Sequence, residues 1–167
     1  TSTLPADDNS YFYPSVGLSY ILSESIPSIR DSGTYIKLTA SNSTVYNDLA
    51  PYQINESFSQ AGGFPYGTVN GFFQSPSAID SGIKKEKINT SEVGVNFGFF
   101  KNRLTFDAAY FLTKSTDLIT NTTPSVTAGA TAYLTNIGEI EGKGIELALG
   151  AKIIQSEDWY WDLNVNY

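Results

Sequence analysis

Six aromatic residues in one polar stretch are the chain's best candidates for recognising something. Between about 47 and 84 stand Tyr52, Phe58, Phe64, Tyr66, Phe72 and Phe73, interleaved with Asn, Gln and Ser. An aromatic ring offers a broad apolar face, and neighbouring amides offer donors and acceptors. Together they suit stacking on a sugar or a peptide, and contact with a partner protein. The same residues also suit packing of the loop onto itself or its neighbours. Packing or partner contact is the commoner use, because few residues touch a ligand in any site.

Acid–base and metal chemistry have less to work with. The chain has no His and no Cys, which removes the commonest general base, the commonest metal ligand and any thiolate. Asp7, Asp8 and Asn9 are clustered oxygen donors, but a Ca²⁺ site needs about 6–8 oxygens, so a solvated acidic loop is expected there. Glu157 and Asp158 sit in a tight turn, where Asp belongs for backbone reasons. No carboxylate pair has a spacing that suits catalysis. No catalytic residue, metal site or cofactor is expected, and an enzyme such as a β-rich glycosidase is the weakest reading. Asn42, Asn55, Asn89 and Asn121 each open an N-x-S/T triplet, which would matter only in a secreted, glycosylated protein.

The elements that carry these residues read as strands. Helical periodicity is nearly absent, and alternation with period two recurs along the chain. Val16, Leu18, Tyr20 and Leu22 alternate with Ser15, Gly17, Ser19 and Ser23. Ile36, Leu38 and Ala40 alternate with Lys37, Thr39 and Ser41. The clearest strand, from about Glu86 to Phe100, sets Val93, Val95, Phe97 and Phe99 against Glu92, Gly94, Asn96 and Gly98. After a tight turn at Lys101 and Asn102, Leu104, Phe106, Ala108, Tyr110 and Leu112 oppose Thr105, Asp107, Ala109 and Thr113. Phe111 is an exception on the polar side. Ile145, Leu147 and Leu149 then oppose Glu146, Ala148 and Gly150. Finally Trp159, Trp161, Leu163, Val165 and Tyr167 oppose Asp162, Asn164 and Asn166. About six strands follow, joined alternately by short links (Pro27 to Gly33, Lys101–Asn102, Gln155 to Asp158) and long ones (about 47–84 and 121–135). The fold class is all-β and antiparallel.

Such alternation fits two settings. A soluble β-sandwich turns the apolar faces inward, and a membrane barrel turns them to lipid. Only 16% of residues are charged, against roughly 25% in soluble domains, and 14% are aromatic. Polar-face positions are mostly small and uncharged, aromatics gather at strand ends, and the strands are long enough to cross a bilayer at a tilt. Short turns on one rim and long loops on the other complete the outer-membrane pattern. In a barrel, Glu92, Asp107 and Glu146 would line the lumen or pair with cations of an interior plug. They would equally pair with Lys or Arg on neighbouring strands. The net charge of −7 argues against a nucleic-acid partner. No apolar stretch approaches the roughly 20 residues of a membrane helix, and no signal peptide is visible.

The stretch from Glu92 to Phe111, EVGVNFGFFKNRLTFDAAYF, resembles the E-x-G-x-(D/N)-x-G-(F/L)-F-K-N-R-L hairpin of SusC-like TonB-dependent transporters. Thr116-Asp117-Leu118-Ile119 is similar to the family's T-D-L-(L/I). Asn136-Ile137-Gly138, Gly142-Lys143-Gly144 and Ile145-Glu146-Leu147 resemble N-(I/V)-G-x-(I/M)-x-N-K-G-(I/V)-E-(L/F), with Gly142 where Asn is usual. Tyr13-Pro14-Ser15-Val16-Gly17 is similar to F-P-S-V-G. Ile36 to Ser41 resembles L-K-L-R-A-S, with Thr39 replacing the usual Arg, and Pro51-Tyr52 matches a P-Y in the following loop. The resemblance implies a bacterial outer-membrane β-barrel of the up-and-down kind, of roughly 22 strands, closed by an N-terminal plug. Residues 1–167 would be part of its C-terminal barrel domain, with the plug outside this chain. It further implies import of oligosaccharides or peptides, a SusD-like surface lipoprotein as partner, and energy from the TonB complex. About six strands cannot close a barrel and would leave open edges in lipid, so the chain is expected to be a stretch of a longer protein. The alternative is a secreted, soluble β-sandwich that binds carbohydrate.

Overall fold

The computed structural model describes residues 3–4, 10–55, 57–74 and 76–167. Asp7, Asp8 and Asn9 lie outside the described residues. The elements in chain order are β1 (Ser15–Ile21), α1 (Leu22–Ser25), α2 (Pro27–Asp31), β2 (Tyr35–Asn47), β3 (Phe58–Gln60), β4 (Phe72–Gln74), β5 (Ser77–Ile79), β6 (Glu86–Phe99), β7 (Leu104–Thr116), β8 (Ile119–Thr122), β9 (Ala132–Asn136), β10 (Glu139–Gln155) and β11 (Tyr160–Asn166). A 3-10 turn, Val126–Ala128, lies between β8 and β9. The chain divides into two compact units: a sheet unit of Tyr13–Thr44, Asn89–Lys114 and Glu141–Tyr167, and a loop unit of Thr1–Phe12, Val45–Ile88 and Ser115–Ile140.

The sheet unit carries the six long strands, in the order β1-β2-β6-β7-β10-β11, an up-and-down meander. Each strand read from alternation is found, and β2, β7 and β10 run further than their alternation indicated. β1 pairs antiparallel with β2, with Leu18 opposite Ala40 and Ser19 opposite Thr39, so like faces meet like. β10 pairs antiparallel with β11 from Ala148↔Asn166 to Gln155↔Tyr160. The register shifts between Lys152 and Ile154, leaving Ile153 as the extra residue of a β-bulge. The bulge changes the parity of β10 by one and sets Ile154 opposite Trp161, keeping apolar beside apolar.

The links follow from local chemistry. β6 and β7 are joined at Phe100, Lys101 and Asn102, all with positive φ, and the Arg103 N–H closes the turn on the Phe99 carbonyl at 3.0 Å. Asn accepts this backbone region readily, whereas Phe and Lys are held in it by the hairpin. The link between β1 and β2 is helical, a departure from the irregular turn expected. Pro27 opens α2 at its first turn, where its missing N–H costs nothing, and Gly33 (φ 72) stops it.

The sheet unit has no buried apolar side chain among the described residues; the buried hydrophobics are Leu4 and Ile83, both in the loop unit. Leu18 is 74% exposed, Ile145 60% and Val93 55%. A two-layer sandwich would bury these side chains against a second sheet. The sandwich reading is therefore not favoured.

The loop unit corrects the expectation that the long links lack structure. β3 pairs antiparallel with β4 as a short arm. β5, β9 and β8 form a three-stranded sheet in which β5 runs parallel to β9 and β8 antiparallel to it. This sheet ties residues of both long links together. The missed strands are three to five residues long, too short for period-two alternation to register.

Candidate functional site

The polar face of the sheet unit is continuous across strands. The Asn96 side-chain N–H donates to the Asp107 carboxylate at 2.6 Å, and the hydroxyls of Thr90 and Thr113 lie 3.1 Å apart. The Thr39 hydroxyl occupies the space over Gly94, and a Cβ there would stand 2.7 Å from it. A cleft of about 500 Å³ on this face is lined by Thr39, Glu92, Asn96, Asp107, Glu146 and Asn166 among others. The three carboxylates expected on the polar face therefore gather at one cleft. Among the described residues none of them forms an ion pair; the ion pair found is Arg30–Asp31, at 3.4 Å. Pairing with Lys or Arg of neighbouring strands is thus not what occupies them.

Phe111 is the aromatic exception on this face, and the reason is opposite it. A Cβ on Gly144 would meet the Phe111 ring at 2.8 Å. Gly144 leaves the ring a seat on the strand backbone, an arrangement that repairs the weakness of Gly in a sheet.

The apolar face ends sharply in the direction of the long links. On β2 the outward positions change from Ala40 to Asn42, on β6 from Val93 to Ser91, on β7 from Leu112 to Lys114 and on β10 from Ile145 to Lys143. The Asn42 amide donates to the Ser91 hydroxyl at 2.8 Å, and the Asn89 amide to Thr44 at 2.9 Å. Two of the N-x-S/T triplets are thus rungs of a polar ladder between β2 and β6. Toward the short links the face ends in aromatics, with Phe97 stacked on Phe99 and on Phe106 and with Trp161 54% exposed. From Val93 to Phe99 the strand rises roughly 20–25 Å at ~3.3 Å per residue. That matches the ~25 Å apolar band of membrane barrels, flanked by aromatic girdles.

The loop unit separates the six candidate aromatics. Phe58 and Phe72 share one face of the β3–β4 arm, because Phe58 pairs with Gln74 and Gln60 with Phe72. Phe73, opposite Ser59, points to the other face. The Phe64 ring covers Gly71, where a Cβ would stand 2.6 Å from it, so this ring packs the arm on itself. Tyr66 bridges to Val69 at the arm's tip. Tyr52 is elsewhere, at the edge of a cleft against the three-stranded sheet.

Several positioning residues were not singled out from sequence. Asn136 donates to the carbonyls of Lys84 (2.8 Å) and Asp117 (2.7 Å) and accepts from the Lys84 N–H (2.6 Å). One side chain thereby clamps the ends of both long links. Glu86 accepts from the Ile119 N–H and the Asn47 amide, each at 2.8 Å. The N-I-G motif at Asn136 was the available signal.

Near the start of the first long link, Lys85 lies over the Tyr11 and Tyr46 rings at 4.9 and 5.1 Å. The Tyr11 hydroxyl donates to Asp48 at 2.6 Å, and the Thr3 N–H at 3.2 Å. Burial alone would raise the Asp48 pKa. The bonds from Tyr11, Thr3 and the Leu49 N–H outweigh it and hold the carboxyl at about 2, below the ordinary 3.8. A depressed folded-state pKa stabilises above the unfolded value, and the contribution is lost as pH falls through the folded one. Between pH 3.8 and about 2 the segment bearing Thr3 and Tyr11 is therefore expected to come loose. Pepsin cleavage near residues 3–12 should appear near pH 2 but not at pH 4 in the wild type, and at both in Asp48→Asn.

The sequence over residues 1–167 matches the family model described as "TonB dependent receptor-like, beta-barrel". The chain belongs to the TonB-dependent receptor β-barrel family. The SusC-like character of this TonB-dependent receptor segment also holds. It is 32% identical to the TonB-dependent receptor SusC of Bacteroides thetaiotaomicron over 119 residues, 71% of this chain and 12% of that receptor. It is 27% identical to TonB-dependent receptor P3 of Formosa agariphila over 96% of this chain and 16% of that protein. Its fold is that of the RagAB peptide importer in the closed-closed state, with TM-score 0.86 and 21% identity over 99% of this chain and 18% of that one. The receptor segment thus spans less than a fifth of the length of each. Members of this family are outer-membrane transporters, not enzymes.

Proposed function

We propose that this chain is a stretch of barrel wall in an outer-membrane importer of the SusC type. The importer takes up oligosaccharides or peptides together with a SusD-like surface lipoprotein and draws energy through the TonB complex. The observation that carries this reading is the sheet itself: an exposed apolar face bounded by a polar line and by aromatics, backed by a polar, partly acidic face. The apolar face meets lipid, and the polar face turns toward the lumen and the plug. The long links then face outside, where substrate and lipoprotein arrive, and the exposed rings of Phe58, Tyr66, Phe72 and Phe73 are available to them.

The test uses the full-length receptor in its own bacterium. A protein on the order of 100 kDa in the outer-membrane fraction, copurifying with a lipoprotein and supporting uptake that stops when TonB is deleted, is the expected result. A soluble protein near 18.2 kDa overturns it.

A further inference from the structure

The cleft that holds Tyr52 is built differently from the rest of the loop unit. Its floor is one row of the three-stranded sheet: Ile79 pairs with Leu134, and Leu134 with Asn121, so the three side chains lie on one face. Above that row the segment from Tyr52 to Asn55 turns back on itself, with the Asn55 N–H on the Tyr52 carbonyl at 3.2 Å. Tyr52 has φ 68 and its side chain is 82% exposed. The enclosed space is about 310 Å³, at the lower end of ordinary small-molecule sites.

The lining is polar without charge. The amide oxygen of Gln53 is engaged by the Ala50 N–H, leaving its NH₂ group toward the cleft. The amides of Asn42, Asn47, Asn89, Asn96 and Asn136 are all bonded to the protein. Those of Asn55 and Asn121, which line the cleft, have no hydrogen-bond partner among the described residues. Ile79 and Leu134 supply an apolar floor, and the Tyr52 ring an apolar wall with a hydroxyl at its tip. Such a lining suits a neutral ring that carries hydroxyls at its edge and C–H groups on its faces. A peptide backbone would be served by strand edges, and a charged ligand by an ion-pair partner, which this lining does not hold.

We infer that this cleft is a binding site for a pyranose unit of an uncharged oligosaccharide. Tyr52 stacks on one face of the ring, Ile79 and Leu134 lie beneath the other, and the amides of Gln53, Asn55 and Asn121 take its hydroxyls. The inference rests on the proposed importer reading and narrows its substrate class.

The full-length receptor in detergent is titrated calorimetrically with neutral hexasaccharides of glucose, mannose, galactose and xylose, with hexagalacturonate, and with a mixture of short peptides. At least one neutral hexasaccharide is expected to bind, and more tightly than hexagalacturonate or the peptides. Tyr52→Gly is expected to weaken that binding about tenfold. Glycine suits the positive φ of this position, so the ring is lost without backbone strain. Asn121→Asp, nearly the same in shape, should weaken it similarly. Preference for peptides or the acidic sugar, absence of binding to any neutral hexasaccharide, or neutral binding unchanged in both variants overturns the inference. Binding is read without uptake, so loss of TonB-dependent import with sugar binding intact would count against the importer reading alone.

Discussion

Val95→Arg is expected to destabilise the folded receptor by about 2–4 kcal/mol in a lipid bilayer. Val95 stands on the apolar face between Val93 and Phe97, well inside the polar line marked by Asn42, Ser91, Lys114 and Lys143. An arginine there must carry its charge into hydrocarbon or bend its side chain toward a boundary. Ser41→Arg is the matched control, an exposed position on the opposite face, beside the strand that already carries Lys37. There the charge stays in water and the change should fall within about 0.5 kcal/mol. Urea unfolding of the receptor in lipid vesicles, followed by the heat-dependent gel shift of folded barrels, measures both. Equal effects would mean that the apolar face does not meet lipid.

The second large effect concerns Phe111 and Gly144. Gly144→Ala puts a methyl group 2.8 Å from the Phe111 ring, closer than carbon atoms approach. The ring must leave its seat, at a cost of about 1–3 kcal/mol. Alanine is ordinarily better than glycine inside a strand by roughly 0.5–1 kcal/mol, so the steric effect wins and the variant is less stable. With Phe111→Ala in the background the clash is gone and only the strand preference remains. Gly144→Ala should then become stabilising. That reversal of sign, read from a double-mutant cycle in the same unfolding assay, distinguishes a seated ring from mere tolerance of an aromatic on the polar face. A coupling energy below about 0.5 kcal/mol would refute the seating.

The wall strands were legible because each places several alternating pairs on faces of consistent character. Val93 to Phe99 against Glu92 to Gly98 is the clearest case. The limits were less legible. β10 was expected around Ile145 to Gly150 but begins at Glu139, since Glu139, Glu141 and Lys143 continue the strand while breaking its apolar face. β2 likewise continues past Asn42 through Thr44 and Tyr46 on the same face. Within the long links β5 and β9 were invisible, since neither alternation nor proximity in sequence announces a parallel pair. The aromatic candidates could be named from sequence, but their partition could not. Whether Phe58 and Phe73 face together depends on the β3–β4 register, and the role of Tyr52 on a sheet built from both links.

That sheet has an evolutionary consequence. β5 comes from the first long link and β9 from the second, and the Asn136 clamp joins the same two segments. Grafting one link from a relative would strand its partner with unmatched hydrogen-bond donors and half a floor. The exchangeable module is the pair, so specificity in this region should diversify by concerted change in two distant stretches of the gene.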